Sequence, residues 1–375
     1  MKPSAALDPI MDLVSTFPVL TAVCATMLLL IAIVQSSTTV SHFYPSSFEL
    51  STLYGKLIVS PLYKNWRWKS QLKKDMKLNP HLEFKLPFEA DTANVQAYVD
   101  MLGLQEKAAP TELPFAYVAS CFLYPTVCLL SQRRYLFPVL GAIHVHNFFR
   151  WEPLKKDEKF EGFLKVQETV NFTKKGVEVT FPHLLLNSEG REVWRSTTTV
   201  LVPCRNKLYD RTNDTAAAGV AAAAPPTKRV GLVEEYQAQG LKPVLVREKT
   251  FKTKSDTGRR FAEVVQDYNP IHLFTVTARL FGFKRAICHG MYVGSLAMEE
   301  AMDVWRGEVG KGEGVMEADV KFIRPCFVGD AFRVKIFKVE DKKEETGKKL
   351  VVVVTQEGKE EICHLQATVR AAKKS

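Results

Sequence analysis

The feature that most limits what this chain can fold into is an internal likeness between two segments. They are separated by DRTNDTAAAGVAAAAPPTKR, a linker of small residues, two prolines and polar flanks with nothing large to bury. The later part of each segment reads as a strand, a proline, a polar turn and three more strands. In the first these are IHVHNFF, Pro153, FEGFLKV, GVEVTFPHLLL and VWRSTTTVLV; in the second they are ADVKFI, Pro325, AFRVKIFKV, KLVVVV and ICHLQATVRA. The last turn is Glu189-Gly190-Arg191-Glu192 in one copy and Glu357-Gly358-Lys359-Glu360 in the other. Glycine at such a hairpin turn permits positive φ, so its recurrence has a structural reason. Alternation of Met316, Ala318, Val320 and Phe322 predicts a strand with one buried face. Earlier in each copy, Asp91-Thr92 and Asp256-Thr257 open a helix with the aspartate as N-cap. At 375 residues the chain holds two such domains, each with its own core.

The second segment places its helices between Asp256 and Arg306. Phe261, Val264 and Val265 share one face of the first; Pro270 starts the second and Gly282 stops it. The third begins at His289-Gly290 and continues through Met291, Val293, Leu296, Ala297 and Met298. A long apolar helix followed by antiparallel strands is what a sheet wrapped around a central helix needs. The reading is an α+β chain with boundaries at 1–44, 45–204, 205–228 and 229–375.

Residues 1–44 carry a different signal. From Phe17 to Val34 there is no charge, and an apolar run over about 14–35 is long enough for one transmembrane helix. A cleaved signal peptide would have a shorter apolar core behind a basic start, whereas here Lys2 is set against Asp8 and Asp12. Beyond it, KNWRWKSQLKKDMK interleaves Trp66 and Trp68 with six cations, a composition suited to a headgroup interface. This stretch contributes to a net charge of +10. No nucleic-acid module surrounds it, so no nucleic-acid partner is expected. The cations after the span predict a single-pass protein with its large C-terminal part in the cytosol, on the endoplasmic reticulum or another organelle membrane. Seven scattered cysteines without a CxxC suggest neither a disulfide framework nor a zinc site.

The chemistry is concentrated in FAEVVQDYNPIHLFTVTARLFGFKRAICHGMYVGSLA, residues 261–297. It holds Asp267, Tyr268, Asn269, Pro270, Ile271 and His272 in order, then Leu280-Phe281-Gly282-Phe283 and His289-Gly290-Met291. Val320-Lys321-Phe322-Ile323-Arg324-Pro325 follows. The run resembles the MaoC-like hot-dog family, which includes R-specific enoyl-CoA hydratases and 3-hydroxyacyl-thioester dehydratases. The match covers most of residues 250–330 and has no departure at the key positions. The resemblance implies a double hot-dog fold, an antiparallel sheet wrapped around a central helix in two copies, which here follows the one transmembrane helix expected from the Phe17–Val34 run. It also implies that the first copy, which lacks the Asp-x-Asn-Pro-x-His run, is a degenerate partner that completes the fold and shapes the acyl pocket.

The residues make chemical sense on their own terms. Adding water across a C2–C3 double bond beside a thioester needs a base for the water and an acid for C2. A carboxylate and an imidazole five positions apart, across a turn stiffened by Pro270, can share one water. Histidine titrates near neutral pH, so the pair can serve in both directions. The thioester oxygen gains charge and needs fixed donors; the Gly290 N–H at a helix start supplies one, aided by the helix dipole. Asn269 braces the turn, and His289 and Ser295 are further candidates for substrate contact. Each has an ordinary structural alternative. Asp-x-Asn-Pro is a common helix start, His272 can be a hydrogen-bonded surface histidine, His289 can cap its helix and Gly290 can serve close packing. The order and spacing of the whole set favour a catalytic site. His144 and His146, alternating on a strand of the first copy, read as structural.

The expected activity is therefore reversible hydration of enoyl thioesters, with an acyl-CoA or acyl-carrier-protein substrate and a homodimer as an optional assembly. Neither a glycine-rich phosphate loop nor metal-ligand spacing is present in the sequence, so no metal or redox cofactor is implied. A thioesterase on the same fold is the rival enzyme, and a non-enzymatic membrane adaptor or acyl-chain binder the rival without chemistry. The intact Asp267–His272 pair stands against both.

Overall fold

The computed structural model describes residues 82–105, 112–132, 134–138, 140–203, 231–309, 314–340 and 348–372, together with 49, 52–54, 56–57 and 77–78. The Phe17–Val34 run, the basic Trp66/Trp68 stretch and the linker at 205–228 lie outside the described residues. Among the described residues no helix is long and apolar enough to cross a membrane.

In chain order the elements of the first half are β1 (Glu83–Glu89), α1 (Thr92–Leu102), α2 (Phe115–Cys121), α3 (Leu123–Ser131), β2 (Ile143–Trp151), β3 (Lys159–Lys165), β4 (Asn171–Thr173), β5 (Gly176–Leu186) and β6 (Glu192–Pro203). The second half has α4 (Leu232–Ala238), β7 (Val244–Lys252), α5 (Thr257–Val265), α6 (Pro270–Leu273), α7 (Thr275–Leu280) and α8 (Gly290–Val309). It closes with β8 (Val315–Phe322), β9 (Ala331–Glu340), β10 (Lys348–Gln356) and β11 (Lys359–Ala372).

All these strands join one antiparallel sheet in the order β1-β3-β5-β6-β2-β8-β11-β10-β9-β7, with β4 paired to β5. The two halves thus repeat one strand order, each starting at an outer edge and ending on the strand that meets its counterpart. The join is β2 against β8, in register from His146 opposite Lys321 to Trp151 opposite Met316. Arg150 reinforces it through Glu317 at 2.7 Å. Both hairpin glycines take the expected left-handed backbone, Gly190 at φ 75° and Gly358 at φ 74°.

The core crosses the join. Val293, Leu296, Ala297 and Ala301 on α8 are buried in one cluster with Val352, Leu365 and Val369 of the sheet. The same cluster contains Phe115, Trp151 and Phe181 of the first half. The expectation of two separate cores is corrected here: apolar faces that meet along a continuous sheet merge into one interior. Tyr98 shows why. It is fully buried, its hydroxyl donates to Ser295 Oγ of α8 at 2.7 Å, and its ring packs against Phe261 of α5.

Two local expectations also change, and two strands join that the sequence pattern leaves unmarked. Asp91 caps α1 as expected, accepting from the N–H groups of Ala93 at 2.8 Å and Asn94 at 3.2 Å. Asp256 makes no such bond; instead the Thr257 hydroxyl accepts from the Lys254 N–H at 2.8 Å. The single helix expected from Pro270 to Gly282 is divided by Phe274, whose extended backbone separates α6 from α7. Strands β1 and β7, which the sequence pattern does not single out, form the two ends of the sheet. Pro87 lies in β1, where an outer strand tolerates a missing N–H.

Candidate active site

The site is built on the loop between α5 and α6. Gln266 ends α5 with φ 60°, the left-handed region, and turns the chain so that Asp267 follows at once. Asp267 Oδ1 accepts from the Asn269 N–H at 3.1 Å, an Asx turn that fixes the carboxylate. Pro270 then opens α6, a position where its missing N–H costs nothing. One turn of helix brings His272 back towards the same loop. Gly258 makes this fold-back possible: a Cβ there would lie 2.1 Å from the His272 carbonyl oxygen.

His272 is buried, and its Nδ1–H donates to the Ile287 carbonyl at 3.0 Å. That bond assigns the proton to Nδ1 and leaves Nε2 with a lone pair. Burial pushes the His272 pKa down to about 3, with the neighbouring His289 adding to the fall and Asp267 opposing it. His289 is also buried and stacks on His272 with ring centres 3.8 Å apart. Its Nε2–H donates to the Asp267 backbone carbonyl at 3.1 Å, and burial lowers its pKa to about 4. Two neutral rings therefore stand beside one carboxylate. A ligand-capable atom of each of Asp267, His272 and His289 lies within 4.8 Å of the others, a span that one water can bridge.

The same trio has the spacing of a cation site. The stacked rings argue against that use. Imidazole lone pairs lie in the ring plane, and planes 26° apart with centres 3.8 Å apart do not converge at a metal about 2.1 Å from both nitrogens.

Gly290 is the first residue of α8; the Tyr292 and Val293 N–H groups donate to the His289 carbonyl at 3.1 and 3.3 Å, and the Gly290 N–H precedes any carbonyl the helix could offer it. A Cβ at Gly290 would meet the Phe322 ring at 3.2 Å and His144 Cβ at 3.6 Å, so the glycine also allows close packing here. Asp267, Asn269, His272, His289 and Gly290 all line one cavity of about 1340 Å³. The first half supplies Ala119, Phe122, Val127, Leu130 and Val200 to the same cavity. Of the sequence-derived candidates, Ser295 alone lies elsewhere. It is fully buried, held by Tyr98, and does not line the cavity.

His146 reaches Asp319 across the join at 3.0 Å, as a structural residue would. His144 does line the cavity, and its Nε2–H donates to Asn147 Oδ1 at 2.6 Å. His183, also in the lining, is enclosed by Thr126 at 3.2 Å and Ser196 at 2.9 Å. No spacing in the sequence links either to the Asp267 run; the packing of the two halves, along β2–β8 and through contacts such as Tyr98 to Ser295, brings the first half to the site.

With this geometry in place, comparison with known proteins identifies the stretch that carries it. Residues 237–361 match the MaoC like domain family. The match runs from α4 into β11, includes Asp267, His272, His289 and Gly290, and leaves the whole first half outside. A 3-hydroxyacyl-thioester dehydratase X from Mycobacterium tuberculosis is 28% identical over 213 residues, 56% of this chain. The matched region spans 65% of that relative's length. Among solved structures, HtdX from the same organism superposes with a TM-score of 0.55 at 22% identity, covering 76% of this chain and 98% of that one. A MaoC-like dehydratase from Phytophthora capsici gives 0.54 at 14% identity, over 81% of this chain and 99% of that one. The peroxisomal multifunctional enzyme type 2 of Drosophila melanogaster gives 0.53 at 15%, over 88% of this chain and 58% of that one. At such identities these structures establish the fold, a hot-dog-like antiparallel sheet with helices.

Proposed function

We propose that this chain catalyses the reversible hydration of trans-2-enoyl thioesters to (3R)-hydroxyacyl thioesters, as a step of fatty-acid metabolism. One observation carries the reading: the Asp267 carboxylate and the His272 ring converge beside the N-terminus of α8, on a cavity large enough for an acyl chain. In hydration, the Asp267 carboxylate and the His272 Nε2 lone pair hold a water. Its oxygen bonds to C3 as its proton passes to the pair, and the pair returns a proton to C2; the C2–C3 double bond becomes single. The thioester oxygen carries the developing charge, which the Gly290 N–H and the dipole of α8 stabilise. Dehydration is the same path reversed. The dehydratase relative and the MaoC-like match support this assignment.

The repeated strand order supports a double hot-dog form in which the first half is a non-catalytic copy. Its contribution of Ala119, Val127 and Leu130 to the cavity supports a role in holding the acyl chain. The uncharged Phe17–Val34 run and the basic stretch after it support a membrane anchor with the catalytic part in the cytosol. Carbonate extraction of the full-length protein, or glycosylation at Asn171, would contradict that placement.

The activity is tested by mixing the full chain with trans-2-enoyl-CoA and enoyl-acyl-carrier-protein substrates of several lengths and resolving the product enantiomers. A (3R)-hydroxyacyl product supports the reading. Release of free thiol without hydration would instead assign a thioesterase.

A further inference from the structure

The loop that carries Asp267 is held from the other half of the molecule. Gln266 is the one non-glycine among the described residues with positive φ, a conformation that costs about 1 kcal/mol and persists only when its surroundings enforce it. Tyr54 meets this turn from the first half. Its hydroxyl donates to the Gln266 carbonyl at 3.2 Å and accepts from the Tyr268 N–H at 2.7 Å. One oxygen thus brackets Asp267 on both sides. The Tyr54 ring meets the Tyr268 ring edge to face, with centres 5.6 Å apart and planes at 88°. Burial pushes the Tyr54 phenol well above its ordinary value, and the nearby Asp267 adds to the rise, so it keeps the proton it donates.

The phenol is itself anchored. Leu53 and Leu57, on either side of it, are buried against Tyr124, Val127 and Cys128 of α3. Tyr54 also lines the cavity beside Asp267. The contacts cross 212 and 214 positions of sequence and come from outside the MaoC-like match at 237–361. The Asp267 carbonyl is fixed by His289 and its carboxylate by the Asn269 N–H, while Tyr54 holds the Gln266 carbonyl before it and the Tyr268 N–H after it.

We propose that Tyr54 is a positioning residue for Asp267: it locks the left-handed turn at Gln266 and so sets where the carboxylate meets substrate. The proposal rests on the hydratase reading of Asp267 and His272. Removing the hydroxyl while keeping the ring leaves the Leu53–Leu57 packing intact but frees two backbone groups beside the catalytic carboxylate. A displaced catalytic group costs rate rather than binding.

The test uses the full-length protein and Tyr54→Phe, with three readouts: kcat and KM on a trans-2-enoyl-CoA, thermal midpoint, and amide hydrogen exchange of the peptide covering residues 266–268. The expected result is a kcat lower by about tenfold or more with KM within about twofold, and faster exchange at the Tyr268 amide. The thermal midpoint should be nearly unchanged. Wild-type kcat with unchanged exchange would overturn the proposal, as would a lowered thermal midpoint with wild-type kcat, which would mark Tyr54 as packing alone. If the parent protein hydrates no enoyl thioester, the catalytic reading fails by itself. The exchange comparison still decides whether Tyr54 holds the loop.

Discussion

Gly258 and His272 are in such close approach that α5 and α6 could not both hold their places with any other residue at 258. An added Cβ would stand 2.1 Å from the His272 carbonyl oxygen, well inside contact distance, and that oxygen is backbone that cannot swing away. The His272 ring is therefore placed by a glycine fourteen residues before it.

Gly258→Ala should accordingly lower stability by about 1–3 kcal/mol, the usual range for overpacking, and displace α6. Hydration should fall by more than the loss of folded protein explains. Denaturant unfolding and kcat, measured on the same preparation, separate the two effects.

The acyl chain is expected to run from the Asp267 loop into the first half, where the small side chain of Ala119 lines the cavity. Ala119→Phe should reduce kcat/KM for long enoyl chains by about tenfold or more and leave the shortest substrates near their wild-type rate. A chain-length profile of the variant against the parent protein checks this. An equal loss at every length would move the acyl pocket elsewhere.

Acid should weaken the fold through its buried histidines. Burial drives His183 and His272 to a pKa of about 3 and His289 to about 4, each below the ordinary value of 6.5. Between those values and 6.5 the unfolded chain binds protons that the folded one refuses, so stability rises with pH across that window. The thermal midpoint should be flat with respect to these groups above about pH 6.5 and fall as pH drops towards 4. His183→Gln removes one titrating group without touching Asp267 or His272, and should make that fall shallower.

The second half expressed alone, residues 229–375, should associate or aggregate. Without β2, the edge of β8 from Met316 to Lys321 loses its partner strand, and an unpaired edge recruits another chain. Light scattering of the fragment beside the full chain is the check. A stable monomer with the parent chain-length profile would show the first half to be dispensable.

What the sequence discloses follows the range of the forces involved. Alternation marks β8, and Gly190 and Gly358 mark their hairpins, because those patterns are local. Asp267, His272 and Gly290 are legible through order and spacing within one short run. Gly258 carries no mark, since its need arises from an approach by residue 272. Tyr54 carries none either, as its partners are more than 200 positions away. The ends of the sheet escape the pattern because Pro87 interrupts β1 and charged Arg247, Glu248 and Lys249 interrupt β7. Ser295 sits on the expected helix, but on the face that Tyr98 covers, and nothing local in the sequence fixes which face turns to the cavity.

The most direct test of the account is the rate at which full-length protein, Asp267→Asn and His272→Ala hydrate trans-2-enoyl-CoA, with thermal unfolding measured alongside. The parent should be active, and each variant should fold yet lose about 10²–10⁴-fold in rate, the usual contribution of a proton-handling group. A folded variant of either kind that retains the parental rate would contradict the assignment of Asp267 and His272 as the reacting pair.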